Sequence, residues 1–162
     1  MVAKTEQRPV SFTGPAPHIM IVEARFYEDI TDELARGALA VLEQIGATWE
    51  RFAVPGALEI PAAVQIAAAS ARRFDGYVAL GCVIRGETSH YDTVCNESSR
   101  GLQDLALRHG LAIGNGILTV ENEAQAWARA KVAEMDKGGG AARAALAMIE
   151  LKRHFSQVAA GR

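Results

Sequence analysis

The chain has 162 residues, 49% of them hydrophobic and 22% charged, which suits one domain with a sizeable core and is too apolar for a disordered chain and too interrupted by charge for a membrane-embedded one. With 17 Lys and Arg against 19 Asp and Glu, the formal net charge is -2, so no broad basic surface is on offer to nucleic acid or anionic lipid, and any bound phosphate must be held locally. Two cysteines, Cys82 and Cys95, are too few for a disulfide scaffold and match no zinc spacing, which points to reduced thiols in a cytoplasmic protein without a metal site.

Residues 1–17 carry charges and prolines but no apolar h-region, and read as a mobile N-terminal arm ahead of a single domain over 18–158 and a short tail at 159–162. The first strand is predicted over His18 to Ala24, a near-continuous apolar run of the kind covered on both faces in a parallel sheet. A helix follows from about Glu28 to Ile45, with Ile30, Leu34, Ala38, Val41, Leu42 and Ile45 at helical spacing and Gly46 as a left-handed stop. The second strand covers residues 48 to 54 and ends at Pro55 and Gly56. Pro61 sits in the first turn of the next helix, which is predicted to reach about Arg73. A third strand over residues 77 to 84 leads through RGETSH into a helix ending near His109, and a fourth strand spans roughly 111 to 120. Two helices close the chain, at about Glu123 to Met135 and Ala141 to Val158, with the run Gly138, Gly139 and Gly140 between them. Strands separated by helices imply right-handed crossovers, hence a three-layer α/β/α sandwich with a four-stranded parallel sheet. Ligands bind beyond the carboxyl ends of such strands, which directs attention to Phe26, Pro55 to Glu59, Arg85 to His90, and Asn115.

Within those loops, RGETSH places a glycine after a buried strand and two hydroxyl residues at a helix start. Its free N–H groups suit a phosphate, although capping by Thr88 or Ser89 explains the same residues. Glu87 puts a carboxylate beside any such anion, leaving most of the binding to the backbone. His90 falls in the first helical turn, where the dipole disfavours a cation and a neutral imidazole beside a phosphate can shuttle protons; His18, His109 and His154 read as structural. Glu59 is the one ionisable group in VPGALEIP, placed either to cap helix N–H groups or to accept ligand hydroxyls. Phe26 either closes the core or stacks on a planar heterocycle. Arg129 and Lys137 read by themselves as solvated cations, Glu121 and Glu123 as first-turn acids, Asn122 as a helix cap and Trp127 as a packing residue.

Taken in order, RFYEDIT at 25–31, VPGALEIP at 54–61, GCVIRGETSHYDTVCNE at 81–97 and GNGILTVENEAQAWARA at 114–130 resemble lumazine synthase over almost the whole chain. The resemblance implies a flavodoxin-like fold and the penultimate step of riboflavin biosynthesis: condensation of 5-amino-6-(ribitylamino)uracil with 3,4-dihydroxy-2-butanone 4-phosphate to 6,7-dimethyl-8-ribityllumazine, inorganic phosphate and water, with no metal or organic cofactor. It further implies that Phe26 stacks on the pyrimidine, that Ala57, Leu58 and Glu59 line the ribityl side, and that the backbone at Cys82, Val83 and Ile84 reads the pyrimidine edge. Lys137 would reach a ring carbonyl, Glu87, Thr88 and Arg129 would hold phosphate, and His90 would move protons. Family sites lie between adjacent subunits of a ring of five, so a homopentamer is expected, with Asn115 and Arg129 facing the Phe26 and His90 of another chain. Twelve such pentamers form a hollow shell in some members.

Three positions depart from the family pattern. Tyr27 stands where Asn is usual, Asn115 where many members carry an aromatic, and AKVAEMDKGGG at 130–140 replaces a GTKAGNKG-like stretch while keeping Lys137 and Gly138. A non-catalytic flavin or lumazine binder would use Phe26 and Glu59 but would not need His90, Thr88 and Arg129. A flavodoxin-like electron carrier would need a phosphate loop after the first strand, where ARFYEDIT supplies no hydroxyl-rich glycine loop.

Overall fold

The computed structural model describes residues 8–160. Its sheet is built from β1 (His18–Ala24), β2 (Thr48–Val54), β3 (Gly76–Ile84) and β4 (Ile113–Val120), all parallel, in the order β2-β1-β3-β4. Helices α1 (Glu28–Gln44), α2 (Ile60–Ala68) and α3 (His90–His109) supply the crossovers, and α4 (Glu123–Ala130) and α5 (Lys137–Ala160) follow the last strand. Alternation along β1 sorts the two cores. Ile19 and Ile21 join Leu34, Leu42, Leu146 and Ile149 under α1 and α5, while Met20, Val22 and Ala24 join Ile60, Val64 and Leu102 under α2 and α3. β1 and most of β3 are buried on both faces, which is why their sequences are runs of apolar residues and not alternations.

β1, β2 and the start of α1 lie where the sequence pattern puts them, and Gly46 takes the left-handed conformation at φ +69°. Other boundaries differ. α2 stops at Ala68 instead of about Arg73, because the Ser70 hydroxyl donates to the Ala67 carbonyl and competes with helix continuation. β4 begins at Ile113, two residues later than expected. α4 stops at Ala130 instead of Met135, and residues 131–136 form a turn closed by the Met135 N–H on Ala128 and the Asp136 N–H on Lys131.

The largest correction concerns Gly138, Gly139 and Gly140, which form the first turn of α5 and do not separate it from its neighbour. Close approach explains Gly138 and Gly139. A Cβ on Gly138 would stand 1.9 Å from the carbonyl oxygen of Leu34 in α1, a backbone atom that cannot step aside. Asp136, in the left-handed region at φ 46°, closes the turn by accepting the Gly139 N–H at 3.1 Å.

Residues 1–7 of the expected arm lie outside the described residues. Residues 8–17 run against the α1/α5 layer: the Val10 N–H donates to Gln44 at 3.2 Å, the Thr13 N–H to Glu150 at 2.9 Å, and Phe12 packs on the core beside Arg153.

Candidate active site

Three strand ends meet at the carboxyl edge of the sheet, and around them lies a cleft of about 420 Å³. The loop after β1 contributes Phe26 and Tyr27, the segment after β2 contributes Pro55 to Glu59, the end of β3 contributes Cys82, Val83 and Ile84, and the α3 start contributes Gly86, Thr88, His90 and Tyr91. The strand order makes this convergence possible, because the chain passes from β1 to β2 on one side and from β3 to β4 on the other, so the connections leave in opposite directions at the neighbouring pair β1 and β3.

Phe26 stands at the rim, 74% exposed, with its ring edge-on to Tyr27 at 5.0 Å. At the cleft rim such an exposed aromatic offers an unused stacking face. Its backbone is fixed from below. Glu23 is 3% exposed at the end of β1 and accepts two bonds from Arg51, both at 2.8 Å, and one from Arg25 at 3.0 Å, while Arg25 also reaches Asp32 at 2.7 Å. This ionic network was not singled out in the sequence; a lone Glu in an apolar strand run was its signal.

Glu59 is exposed and makes no side-chain capping bond at α2 among the described residues; its carboxylate lies over Gly56 instead, at the cleft wall. Ser89 likewise makes no capping bond, and the Thr88 hydroxyl oxygen accepts the His90 N–H at 3.3 Å. The start of α3, which lines the cleft through Thr88, His90 and Tyr91, is a helix N-terminus of the kind that binds anions. Glu87 lies between two lining residues, Gly86 and Thr88, and is itself exposed outside the lining. Arg85 braces this loop: its guanidinium stacks 4.2 Å over the Tyr91 ring, donates to Glu121 at 2.7 Å and lies 3.6 Å from Asp92. Tyr91 and Val94 complete the lining and were not anticipated; both follow His90 on the cleft-facing side of α3. Burial pushes the Cys82 thiol up to about 12, so at neutral pH this cysteine is an uncharged wall and no nucleophile.

Asn115, Arg129 and Lys137 do not reach this cleft. They line a second groove of about 400 Å³ between the outer edge of β4, the end of α4 and the start of α5. Among the described residues that line it, Arg129 and Lys137 are cations and none is a carboxylate. Arg129 is held by its own helix, Nη1 donating to the Gln125 carbonyl at 3.1 Å, and the Asn122 side chain caps that helix by accepting the Gln125 N–H at 2.9 Å. The predicted site residues thus fall into two groups on two faces of one chain.

The family model for 6,7-dimethyl-8-ribityllumazine synthase matches residues 16–153. The chain belongs to this family. It is 61% identical over 141 residues to 6,7-dimethyl-8-ribityllumazine synthase of Agrobacterium fabrum, covering 85% of this chain and 95% of that protein. Similarity to the synthase of Bartonella tribocorum is 59% over 139 residues, or 86% and 92% of the two chains. Synthase 1 of Rhizobium meliloti is 61% identical over 142 residues, 85% and 93%. The matched region runs from the first strand through most of α5, so both residue groups lie within the lumazine synthase domain. Among the described residues no helix is long and apolar enough to cross a membrane, and no three His, Cys, Asp or Glu side chains cluster as metal ligands.

Proposed function

We propose that the chain condenses 5-amino-6-(ribitylamino)uracil with 3,4-dihydroxy-2-butanone 4-phosphate to give 6,7-dimethyl-8-ribityllumazine, and that it does so in the cytoplasm as a homopentamer whose sites form between neighbours. The observation that carries this reading is the division of site residues between two faces. The cleft holds an aromatic ring, a carboxylate and a histidine; the groove holds Arg129, suited to a phosphate ester, and Lys137, suited to a ring carbonyl. Each is half of a site for substrates that are at once planar, polyhydroxylated and anionic.

In the assembled site Phe26 stacks on the pyrimidine, Ala57 and Leu58 flank the ribityl chain, and Glu59 accepts its hydroxyls. The backbone at Cys82, Val83 and Ile84 pairs with the heterocycle edge, with Lys137 of the neighbour at a ring carbonyl. Phosphate sits at the α3 start on the N–H groups near Glu87 and Thr88, opposite the neighbour's Arg129. The 5-amino group attacks the ketone and water leaves to form the imine. Loss of a proton from the adjacent carbon drives out phosphate, and the resulting enol takes up a proton to become a ketone. The ribityl-bearing nitrogen then attacks that ketone, and a second water leaves as the ring closes. His90 carries protons in these steps, while the helix start and Arg129 stabilise the departing phosphate. Amine and ketone react with each other readily, so positioning supplies much of the acceleration.

Complementation tests the division directly. One variant carries Phe26→Ala with His90→Ala and so lacks a working cleft; another carries Arg129→Ala and lacks a working groove. Each alone is weakly active. When the two are co-assembled in equal amounts, random placement around a ring restores about a quarter of sites with both halves intact, and activity rises accordingly. Light scattering on the parent should give five chains of 17.3 kDa, 86.5 kDa. No recovery on mixing, or an active monomer, would overturn the shared site.

A further inference from the structure

Glu23 is the only charged residue buried among the described residues. Ile19 and Ile21 put one side of β1 under α1 and α5, so Glu23, two residues further on, faces away from the cleft, whereas Ala24 lines it. Neither Glu23, Arg25 nor Arg51 is part of the cleft lining. Arg51 forks onto both Glu23 oxygens from the neighbouring strand, and Arg25 bridges Glu23 at 3.0 Å and Asp32 of α1 at 2.7 Å. Apolar packing often serves stability as well as a buried ion pair does, so the core by itself does not call for a carboxylate here. The turn above it does need fixing. Tyr27, the N-cap of α1, makes no side-chain capping bond, and the exposed Phe26 ring meets Tyr27 edge-on. Thr31 pins the two ends of this turn, its hydroxyl donating to the Ala24 carbonyl and its N–H to the Tyr27 carbonyl, both at 3.0 Å. Between those pins, Arg25 is the anchor.

We propose that Glu23 is a positioning residue that acts through Arg25 to set the Phe26 ring at the cleft rim for stacking on the pyrimidine substrate. The inference rests on the reading above that Phe26 stacks on that substrate, and adds what holds the ring ready. Arg25 immediately precedes Phe26, and its guanidinium is tied to β1 through Glu23 and to α1 through Asp32. Arg51 in turn holds the Glu23 carboxylate with a two-point contact, so the anchor of Arg25 is itself fixed. Restricting the turn before the substrate arrives lowers the ordering cost of binding. The network lies on the side of β1 opposite the cleft, so its influence reaches the planar substrate through Phe26 and leaves proton transfer at His90 and the phosphate contacts as they are.

A double-mutant cycle in steady-state kinetics of the assembled enzyme tests this. Phe26→Ala should raise KM for the pyrimidine at least about fivefold, the loss of one stacked ring. Glu23→Gln offers an amide in place of the second acceptor oxygen and should raise the same KM about three- to tenfold, a part of that loss, with kcat and the KM for butanone phosphate within about twofold of the parent. Arg25→Met keeps the Glu23–Arg51 bridge and should have the same effect, so it carries the test if Glu23→Gln does not assemble. In the Phe26→Ala background either substitution should change the pyrimidine KM by less than about twofold, because the ring it positions is gone. Effects that persist in full in that background, a fall in kcat as large as the rise in KM, or an unchanged pyrimidine KM in both Glu23→Gln and Arg25→Met would each overturn the proposal while leaving the stacking role of Phe26 intact. An unchanged pyrimidine KM in Phe26→Ala would instead overturn the stacking reading, and the proposal with it.

Discussion

Gly138→Ala isolates the contact that seats the start of α5 on α1. The new Cβ would lie 1.9 Å from the Leu34 carbonyl oxygen and within 2.8 Å of the Leu34 carbonyl carbon and Cα. All three are backbone atoms of a buried helical turn, so relief requires the two helices to separate. Overpacking of this kind costs roughly 1–3 kcal/mol, and a rigid backbone neighbour places the expectation at the upper end; the ordinary gain of about 1 kcal/mol from Ala over Gly in a helix offsets part of it. The net loss should be about 2 kcal/mol, or about 4–8 °C in Tm for a domain of this size. Gly140→Ala is the internal control. No described atom lies within 4 Å of its added Cβ, so only the helix-propensity gain remains and the variant should be stabilised by about 0.5–1 kcal/mol. Urea denaturation followed by circular dichroism measures both, at one protein concentration because association also contributes to stability. If Gly138→Ala is as stable as the parent, or if Gly140→Ala loses as much as Gly138→Ala, close approach to Leu34 is not the reason for glycine here.

Replacing His90 with Ala should lower kcat by about a hundredfold, the lower end for general acid–base groups because the substrates are intrinsically reactive, with little change in either KM; an unchanged kcat removes His90 from proton transfer. Arg129→Ala should raise KM for butanone phosphate by roughly tenfold to a hundredfold, the loss of one charge-assisted contact, and a rise in the pyrimidine KM instead would place Arg129 on the other substrate. Asp136→Asn should stabilise the fold at neutral pH and not at acidic pH. Burial holds the Asp136 carboxyl above its usual range, so its contribution is present while it is protonated and is lost as pH rises through its folded value; Asn stays neutral, tolerates φ 46° and still accepts the Gly139 N–H. Equal stability differences at both pH values, read from urea midpoints, would refute the assignment.

The layer architecture was legible because it depends on period and order alone. The apolar runs of β1 and β3 and the helical spacing from Ile30 to Leu42 each have a single compact solution, and the chain adopts it. Boundaries set by side-chain hydrogen bonds or by contact between distant segments were not legible. Ser70 ends α2 through one bond to Ala67. Gly138, at the start of α5, looks like part of a linker until Leu34, about a hundred positions earlier, is brought against it. A glycine run has two physical causes, freedom and lack of space, and composition alone does not distinguish them. The buried Glu23 was hidden in the same way, since its partners Arg25 and Arg51 sit on different segments and meet only when β2 pairs with β1.

The site residues present the same problem at a larger scale. Phe26, Glu59, Cys82 and His90 follow the carboxyl ends of β1, β2 and β3, so the rule for parallel sheets gathers them without further information. Asn115 and Arg129 lie instead on the β4 edge and α4, facing away from that cleft, and as features of one chain they resemble a solvated edge and a solvated helix face. On the proposed shared-site reading their purpose becomes physical only when two copies are considered. A cationic groove without a carboxylate is well matched to an anion held in another copy's cleft. A face that donates and a face that accepts cannot satisfy each other within one chain, and contact between unlike faces of identical chains produces a ring when the rotation closes. Placing phosphate-binding cations on the donating face would then leave the isolated chain able to hold a heterocycle but without full charge stabilisation for phosphate departure, so catalysis would be tied to assembly.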